Sequence, residues 1–376
     1  MEIIAGAFLF SYFLIILLFS WLWLKIPVKK GNRILTNKLI SVIVPVRNET
    51  DNILNLMNDL WTQKLDPSRF EVIIVDDNSQ DDTPEKVKGF INGHNHHFKL
   101  LEIQNEKHQV TPKKRALTEG VEHSTGEIIV TTDGDCRVSP DWLDIIDQEF
   151  KDEQIEFIAG PVAFTGVSGL FGNLQRLEFS SLIGVGGSSI QLGYPNICNG
   201  ANLAFRKNSF TKLNGYTGNG HLASGDDEFL LQKFASRSPK GIRFLKNEKA
   251  IVYTSPKRTL SEFYQQRKRW TSKLKHHKEW HIKFLSVWIF VVNFVLIASF
   301  VGSIVGYFNW FILAGLLGLK FLCDSIYLLV ILKFFKLKMK WFEFVLLQII
   351  HPFYIVLFGL VSNYGTFNWK GRTYHE

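Results

Sequence analysis

Two stretches of the chain place carboxylates directly after apolar runs: Val75-Asp76-Asp77-Asn78-Ser79 and Thr132-Asp133-Gly134-Asp135. Carboxylates crowded at one edge repel unless a cation, hydrogen-bond donors or solvent relieves them, and a divalent metal bridging to a diphosphate relieves them well. One such cluster alone reads as a solvated Asx turn. Two at strand ends point to a shared ligand. Lys113, Lys114 and Arg115 open the helix before the second cluster, so cationic side chains can reach the same ligand's phosphates, although a solvated basic turn is an equal reading of that segment alone.

The elements that carry these groups alternate. Leu39 to Val46 and Glu71 to Val75 read as strands, with a helix from Asp51 to Gln63 between them. A polar helix around Lys113 to Glu122 leads to a third strand at Glu127 to Thr132. Strands that alternate with helices predict an α/β domain with a mostly parallel sheet, whose ligands bind at the carboxyl ends of the strands. Both acidic clusters fall on that edge.

Apolar residues concentrate at the two ends of the 376-residue chain. Ile3 to Leu24 is long enough, at about 1.5 Å per residue, to cross a hydrocarbon core of roughly 30 Å. It lacks the basic n-region and cleavage site of a signal peptide and is read as an anchor. Further spans are expected near Leu285 to Tyr307, Phe311 to Leu332 and Trp341 to Val361. Lys25, Lys29, Lys30 and Arg33 after the first span, and a basic stretch before the second, place the middle in the cytoplasm, here beneath a bacterial inner membrane. The expected organisation is an anchor and linker (1–33), a catalytic domain (34–256), an amphipathic interfacial helix (257–284) and a membrane region with tail (285–376). The formal charge of +8 sits largely beside the spans, where anionic headgroups rather than nucleic acid are the partner. Cys136, Cys198 and Cys323 share no metal or redox spacing, and no disulfide is expected.

Taken in order, Ser41-Val-Ile-Val-Pro-Val-Arg-Asn-Glu49, Val75-Asp-Asp-Asn-Ser79, Lys113-Lys-Arg-Ala-Leu117, Asp133-Gly-Asp135, Asn199-Gly-Ala-Asn202, Gly225-Asp-Asp-Glu228 and Gln266-Arg-Lys-Arg-Trp270 resemble the family 2 glycosyltransferases with a GT-A fold. The tail Trp369-Lys-Gly-Arg-Thr-Tyr374 is similar to the ending of members related to ceramide glucosyltransferases. The resemblance implies a nucleotide-sugar donor, with Pro45, Glu49 and Asp77 lining a uridine pocket and Lys113 nearby. Asp133 would sit by the ribose or diphosphate, and Asp135, last acid of the DxD motif, would hold Mn²⁺ or Mg²⁺. Asp227 is implied as the base, with Asp226 as the fallback because an Asp-Asp pair replaces the commoner Glu-Asp. An N-cap role for these acids is compatible. Gln266, Arg269 and Trp270 match the QxxRW motif, which packs over donor and acceptor sites. The same segment also reads as an amphipathic interfacial helix.

The implied reaction is inverting, metal-dependent transfer from a UDP-sugar to a lipid or glycan acceptor at the bilayer. A processive polysaccharide synthase is the nearest rival, and an inactive scaffold or signalling module the rival from another class. Within the third span, Lys320 and Asp324 stand one helical turn apart, either as a neutralising pair that fixes packing or as part of an acceptor path. Lys333, Lys336, Lys338 and Lys340 place the end of that span in the cytoplasm, so one further crossing would put Lys370 and Arg372 outside. His351-Pro352 interrupts the last span, and a re-entrant or interfacial segment there would return the tail to the cytoplasm.

Overall fold

The computed structural model describes residues 2–28, 36–94, 97–103, 110–222 and 224–361, with the backbone of 366–369 and 372–375. Lys29, Lys30, Arg33, Lys370 and the side chains of the Trp369–Tyr374 motif lie outside the described residues.

The chain opens with α1 (Glu2–Lys25), then β1 (Ile40–Val46), α2 (Ile53–Trp61), β2 (Phe70–Asp76), α3 (Thr83–Gly93), β3 (Phe98–Glu102), α4 (Pro112–Glu122) and β4 (Ile128–Thr131). It continues through α5 (Trp142–Glu149), β5 (Phe157–Ala159), β6 (Val162–Phe164), α6 (Gly169–Leu192), β7 (Leu203–Arg206), α7 (Lys207–Lys212), α8 (Asp226–Arg237), β8 (Ile242–Phe244) and β9 (Val252–Thr254). Last come α9 (Leu260–Ser272), α10 (Trp280–Ile304), α11 (Trp310–Phe334), α12 (Trp341–Val361), β10 (Thr366–Trp369) and β11 (Arg372–His375).

Every residue of β1 and β2 is buried, as befits apolar strands covered on both faces. They pair in parallel with Pro45 opposite Val75, so both chains leave the sheet at one edge. The main sheet runs β3-β2-β1-β4-β7-β5-β8. β7 lies antiparallel to both β4 and β5, and the other pairings are parallel. The parallel expectation therefore holds, with β7 as its one reversed strand and β3 as an edge strand that the pattern reading missed. β6 and β9 form a second, parallel pair.

Among the described residues four helices, α1, α10, α11 and α12, are long and apolar enough to cross a membrane. They join the α/β domain through α6. Gly184 lies where a Cβ would stand 2.5 Å from the Tyr327 hydroxyl, and a Cβ on Gly187 would stand 2.8 Å from the Trp23 ring. Glycine thus lets α11 and α1 approach α6 closely. The fully buried Trp23 packs on Phe244 and Phe334, each with ring centroids 5.5 Å away. The Lys246 ammonium donates at 2.5 Å to the Trp23 carbonyl, which also accepts from the Ile26 amide at 3.3 Å, and so helps to close the end of α1.

The interfacial helix expected through residue 284 is divided: α9 ends at Ser272 and α10 starts at Trp280. Both ends of α12 meet elements of the α/β part. Glu343 accepts from Asn173 of α6 at 3.1 Å, and Phe358 packs on Tyr264 of α9. β10 lies beside α9 as well.

Candidate active site

The loops after β1, β2 and β4 meet at the carboxyl edge of the sheet. Asn48 and Asn78 adopt left-handed backbone angles, φ 51° and 57°, which asparagine tolerates better than most residues. Between them Arg47 donates to the carbonyls of Asp77 and Asn78, both at 2.7 Å, and so ties the two loops together. Asp76 accepts from the Ser79 amide at 3.0 Å and closes its own Asx turn, the structural role a strand-end acid commonly has. Asp77 instead pairs with the buried Arg115 and lines the site cavity. Glu49 accepts from Asn52 at 2.9 Å, and Gly134 packs so closely that a Cβ would stand 2.9 Å from Val46 and 3.2 Å from Glu49. The Asp133-Gly134-Asp135 turn is therefore seated on the β1 loop.

The basic start of α4 divides by task. Lys113 faces the cavity, 2.8 Å from Asp133 and 3.1 Å from Asp226. Lys114 points away and donates to the carbonyls of Asn219, Leu222 and Ser224, at 2.7, 2.9 and 3.2 Å. Of the three cations Lys113 lines the cavity, while Lys114 and Arg115 hold the surrounding chain.

Asp226, Asp227 and Glu228 occupy the first turn of α8, where the helix dipole favours negative charge. Their surroundings separate them. Burial opposes ionisation of Asp226, yet Lys113, Lys114 and Arg269 hold its carboxyl below the usual range. Burial pushes the Asp227 carboxyl up, and Asp226 and Glu228 add to this against the pull of Lys273. Asp227 accepts from the Gly200 amide at 3.1 Å and the Glu228 amide at 2.8 Å. Lys273 stands 2.8 Å from Glu228, and His277 Nε2 lies 3.2 Å from the same carboxylate. Neither Lys273 nor His277 drew notice in the sequence. Their spacing of three and seven residues beyond Trp270 is the signal that was there to use.

Arg269, Gln266 and Trp270 all line the cavity. Between them Arg267 is fully buried, pairs with Glu178 of α6, and lies 4.5 and 4.3 Å from the centroids of Phe263 and Trp270. Tyr354 of α12 donates to the same Glu178 at 2.9 Å. The structure thus gathers Pro45, Glu49, Asp77, Lys113, Asp133, Asp135, Asp226, Asp227 and the QxxRW residues around one cavity of about 770 Å³. Lys320 and Asp324 do not line it. They pair at 2.6 Å beside Tyr12 and Gln348, which joins α1, α11 and α12, the packing alternative for this pair.

Asp133 and Asp135 offer hard oxygen ligands of the kind that suit Mg²⁺ or Mn²⁺. Among the described residues no group of three His, Cys, Asp or Glu is placed to hold a metal, so a cation here needs oxygens from a ligand as well. The DxD pair fits a metal shared with a diphosphate and would not make a protein-only cage.

A doubly covered α/β sheet with acids and a lysine converging at its carboxyl edge, beside apolar helices, defines a GT-A nucleotide-sugar transferase architecture. Residues 41–213 match the family described as glycosyl transferase family 2, and residues 128–359 match glycosyl transferase family group 2. The second match covers more than half of the chain, which therefore belongs to the family 2 glycosyltransferases. Glycosyltransferase AglE of Haloferax volcanii is 29% identical over 200 residues, 51% of this chain and 60% of that protein. A poly-beta-1,6-N-acetyl-D-glucosamine synthase of Staphylococcus epidermidis is 25% identical over 45% of this chain and 40% of its own length. The chain spans about half the length of these relatives. Among solved structures, a mannosyltransferase of Pyrobaculum calidifontis, in complex with GDP-Man and Mn²⁺, matches with a TM-score of 0.61 at 20% identity, covering 88% of this chain and 97% of that one. That likeness supports the fold.

Proposed function

We propose that the chain transfers a sugar from a nucleotide sugar, a UDP-sugar on the motif resemblance, to a membrane lipid by single displacement with inversion. One observation carries this reading: a continuous cavity runs from Pro45, Asp77 and Asp135 past Asp227 to Phe290, His351 and Phe358 of α10 and α12. A donor fits its polar end and a lipid its apolar end.

In this reading Asp227 takes the proton of the acceptor hydroxyl, a task suited to a carboxylate whose proton affinity burial has raised. The acceptor oxygen then bonds to the anomeric carbon as the bond to the diphosphate breaks, and the nucleoside diphosphate leaves. Lys113 and Arg269 face the developing charge. Asp133 and Asp135 would hold Mn²⁺ or Mg²⁺, which when bound acts as a Lewis acid on the departing diphosphate. Asp226, committed to Lys113, keeps that ammonium in place.

The end of α1, the start of α10 and the end of α11 all lie by the α/β domain, and Lys25, Lys275, Lys278, Lys333 and Lys336 stand at or next to these ends. By the positive-inside rule this is the cytoplasmic face, beneath a bacterial inner membrane. The contact of β10 with α9 supports a tail on that face. Polymer synthesis is the second reading, prompted by the staphylococcal relatives.

The test uses the full chain in vesicles of membrane lipid extract, with a panel of labelled nucleotide sugars. One sugar per extracted lipid is the expected product; a polymer favours the second reading, and no transfer from any donor removes both. Asp227→Asn should lower turnover about 10²- to 10⁴-fold while donor affinity stays, and near-normal turnover would refute the assignment.

A further inference from the structure

The His351-Pro352 pair is not used by the mechanism above. Pro352 lies inside α12 and brings no N–H, so the Gln348 carbonyl loses its helical partner and the helix is weakened on that turn. The Gln348 side chain turns to the Lys320–Asp324 pair, accepting from Lys320 at 2.7 Å and donating to Asp324 at 2.9 Å. One turn on, His351 faces the apolar branch of the cavity, with Tyr354, Ile355 and Phe358 of its own helix and Ser286 and Phe290 of α10 as the other walls. Its ring lies 6.0 Å from that of Tyr354. Neither ring nitrogen meets a hydrogen-bond partner among the described residues. Neither nitrogen is among the fully buried unpartnered atoms, so both open onto the cavity, and an ionisable side chain placed so at membrane depth is a candidate contact for what fills it.

The charges around this branch cancel. Lys320 is neutralised by Asp324 and Arg267 by Glu178, leaving no net charge at this level to hold an anion. Lys283, on the first turn of α10, lies one turn nearer the α/β domain. The Tyr354 hydroxyl is committed to Glu178 and that of Ser286 to the Ile282 carbonyl, at 2.9 and 2.8 Å. The two hydroxyls have thus spent their donors, whereas His351 keeps both ring nitrogens in reserve in this branch.

We infer that His351 is a specificity-determining residue that hydrogen-bonds an uncharged polar group, a hydroxyl or amide, of a lipid acceptor whose alkyl chain lies between α10 and α12. This rests on the lipid-acceptor reading above. An uncharged, hydroxyl-bearing acceptor also accords with a site built around a carboxylate base, since a phosphate oxygen is already ionised and needs no proton removed.

The experiment compares wild type, His351→Phe and His351→Gln, each as the full chain in phosphatidylcholine vesicles doped with increasing amounts of total membrane lipid extract. Label transferred from a nucleotide sugar is followed into the organic phase, and donor affinity is measured alongside. His351→Phe should raise the extract needed for half-maximal transfer about tenfold, the scale of one lost hydrogen bond, with donor affinity unchanged. His351→Gln, which keeps a donor and an acceptor, should stay near wild type, and it keeps the test informative should the Phe variant fold poorly. The labelled lipid should pass unretained through an anion exchanger. If wild type transfers normally and His351→Phe needs no more extract than wild type, or His351→Gln needs as much more as the Phe variant is expected to, the role of His351 is overturned. A retained, acidic product overturns the uncharged class. If wild type labels no lipid, the lipid-acceptor reading itself falls, and this inference with it.

Discussion

Arg267 and Glu178 form a buried ion pair that joins the QxxRW helix to α6, with the Tyr354 hydroxyl completing the carboxylate's partners. Removing one member leaves the other charged and buried without its partner, whereas replacing both with apolar groups avoids that cost. Arg267→Met should destabilise the folded chain by about 3–5 kcal/mol, and Arg267→Met with Glu178→Leu by clearly less. Thermal unfolding in detergent, followed by tryptophan fluorescence, measures both. Equal losses would show that the pair is not acting as a unit.

Lys273 lowers the proton affinity of Asp227, which burial raises. In its proposed role as base Asp227 works only when deprotonated, so turnover should fall as pH drops through its pKa, and that acid limb should lie above the ordinary carboxylate range. Lys273→Met removes the cation and should move the limb further toward neutral pH. The pH dependence of kcat/KM reports it. A limb that stays put or moves to lower pH would separate Lys273 from the base.

Asp135 has a counterpart prediction in metal dependence. Chelation should abolish transfer, and Mn²⁺ or Mg²⁺ should restore it. Asp135→Asn should raise the metal concentration for half-maximal rate by at least about tenfold, the scale found for groups one step further from a metal. Metal titration of turnover decides, and an unchanged midpoint would exclude Asp135 as a ligand.

Glu71 offers a readout of fold stability. Burial alone would raise its pKa, but Lys99, Ser41 and Thr125 pull the carboxyl down to about 2. A depressed pKa contributes stability above the unfolded value, lost as pH falls from about 4.5 toward 2. Because Lys99 is half exposed, Glu71→Gln should cost about 1–2 kcal/mol at neutral pH and little at acid pH. Unfolding midpoints at the two pH values test this.

The sequence made the strand ends legible because β1 and β2 are mostly apolar and give way to Asp, Asn and Arg. Expected and observed boundaries there agree within a residue. The division of labour among Lys113, Lys114 and Arg115 was not legible, since it depends on where the 219–224 carbonyls and Asp77 arrive in space. α6 escaped notice for a related reason. Its many glycines and serines lower helix propensity, and what holds it is contact with α1 and α11 far away in the chain. The same distance hid Lys273 and His277, which matter only because α8 brings Glu228 to them.

Trp23, wedged against Phe244, Gly187 and Phe334 and gripped by Lys246, fixes the end of α1 against the α/β domain. An enzyme on a loose tether could sample acceptors at many heights; this one is bolted to its floor. Under the proposed lipid transfer its reach becomes a built-in gauge, and a hydroxyl carried too far above the lipid surface passes out of range however well its chemistry suits the site.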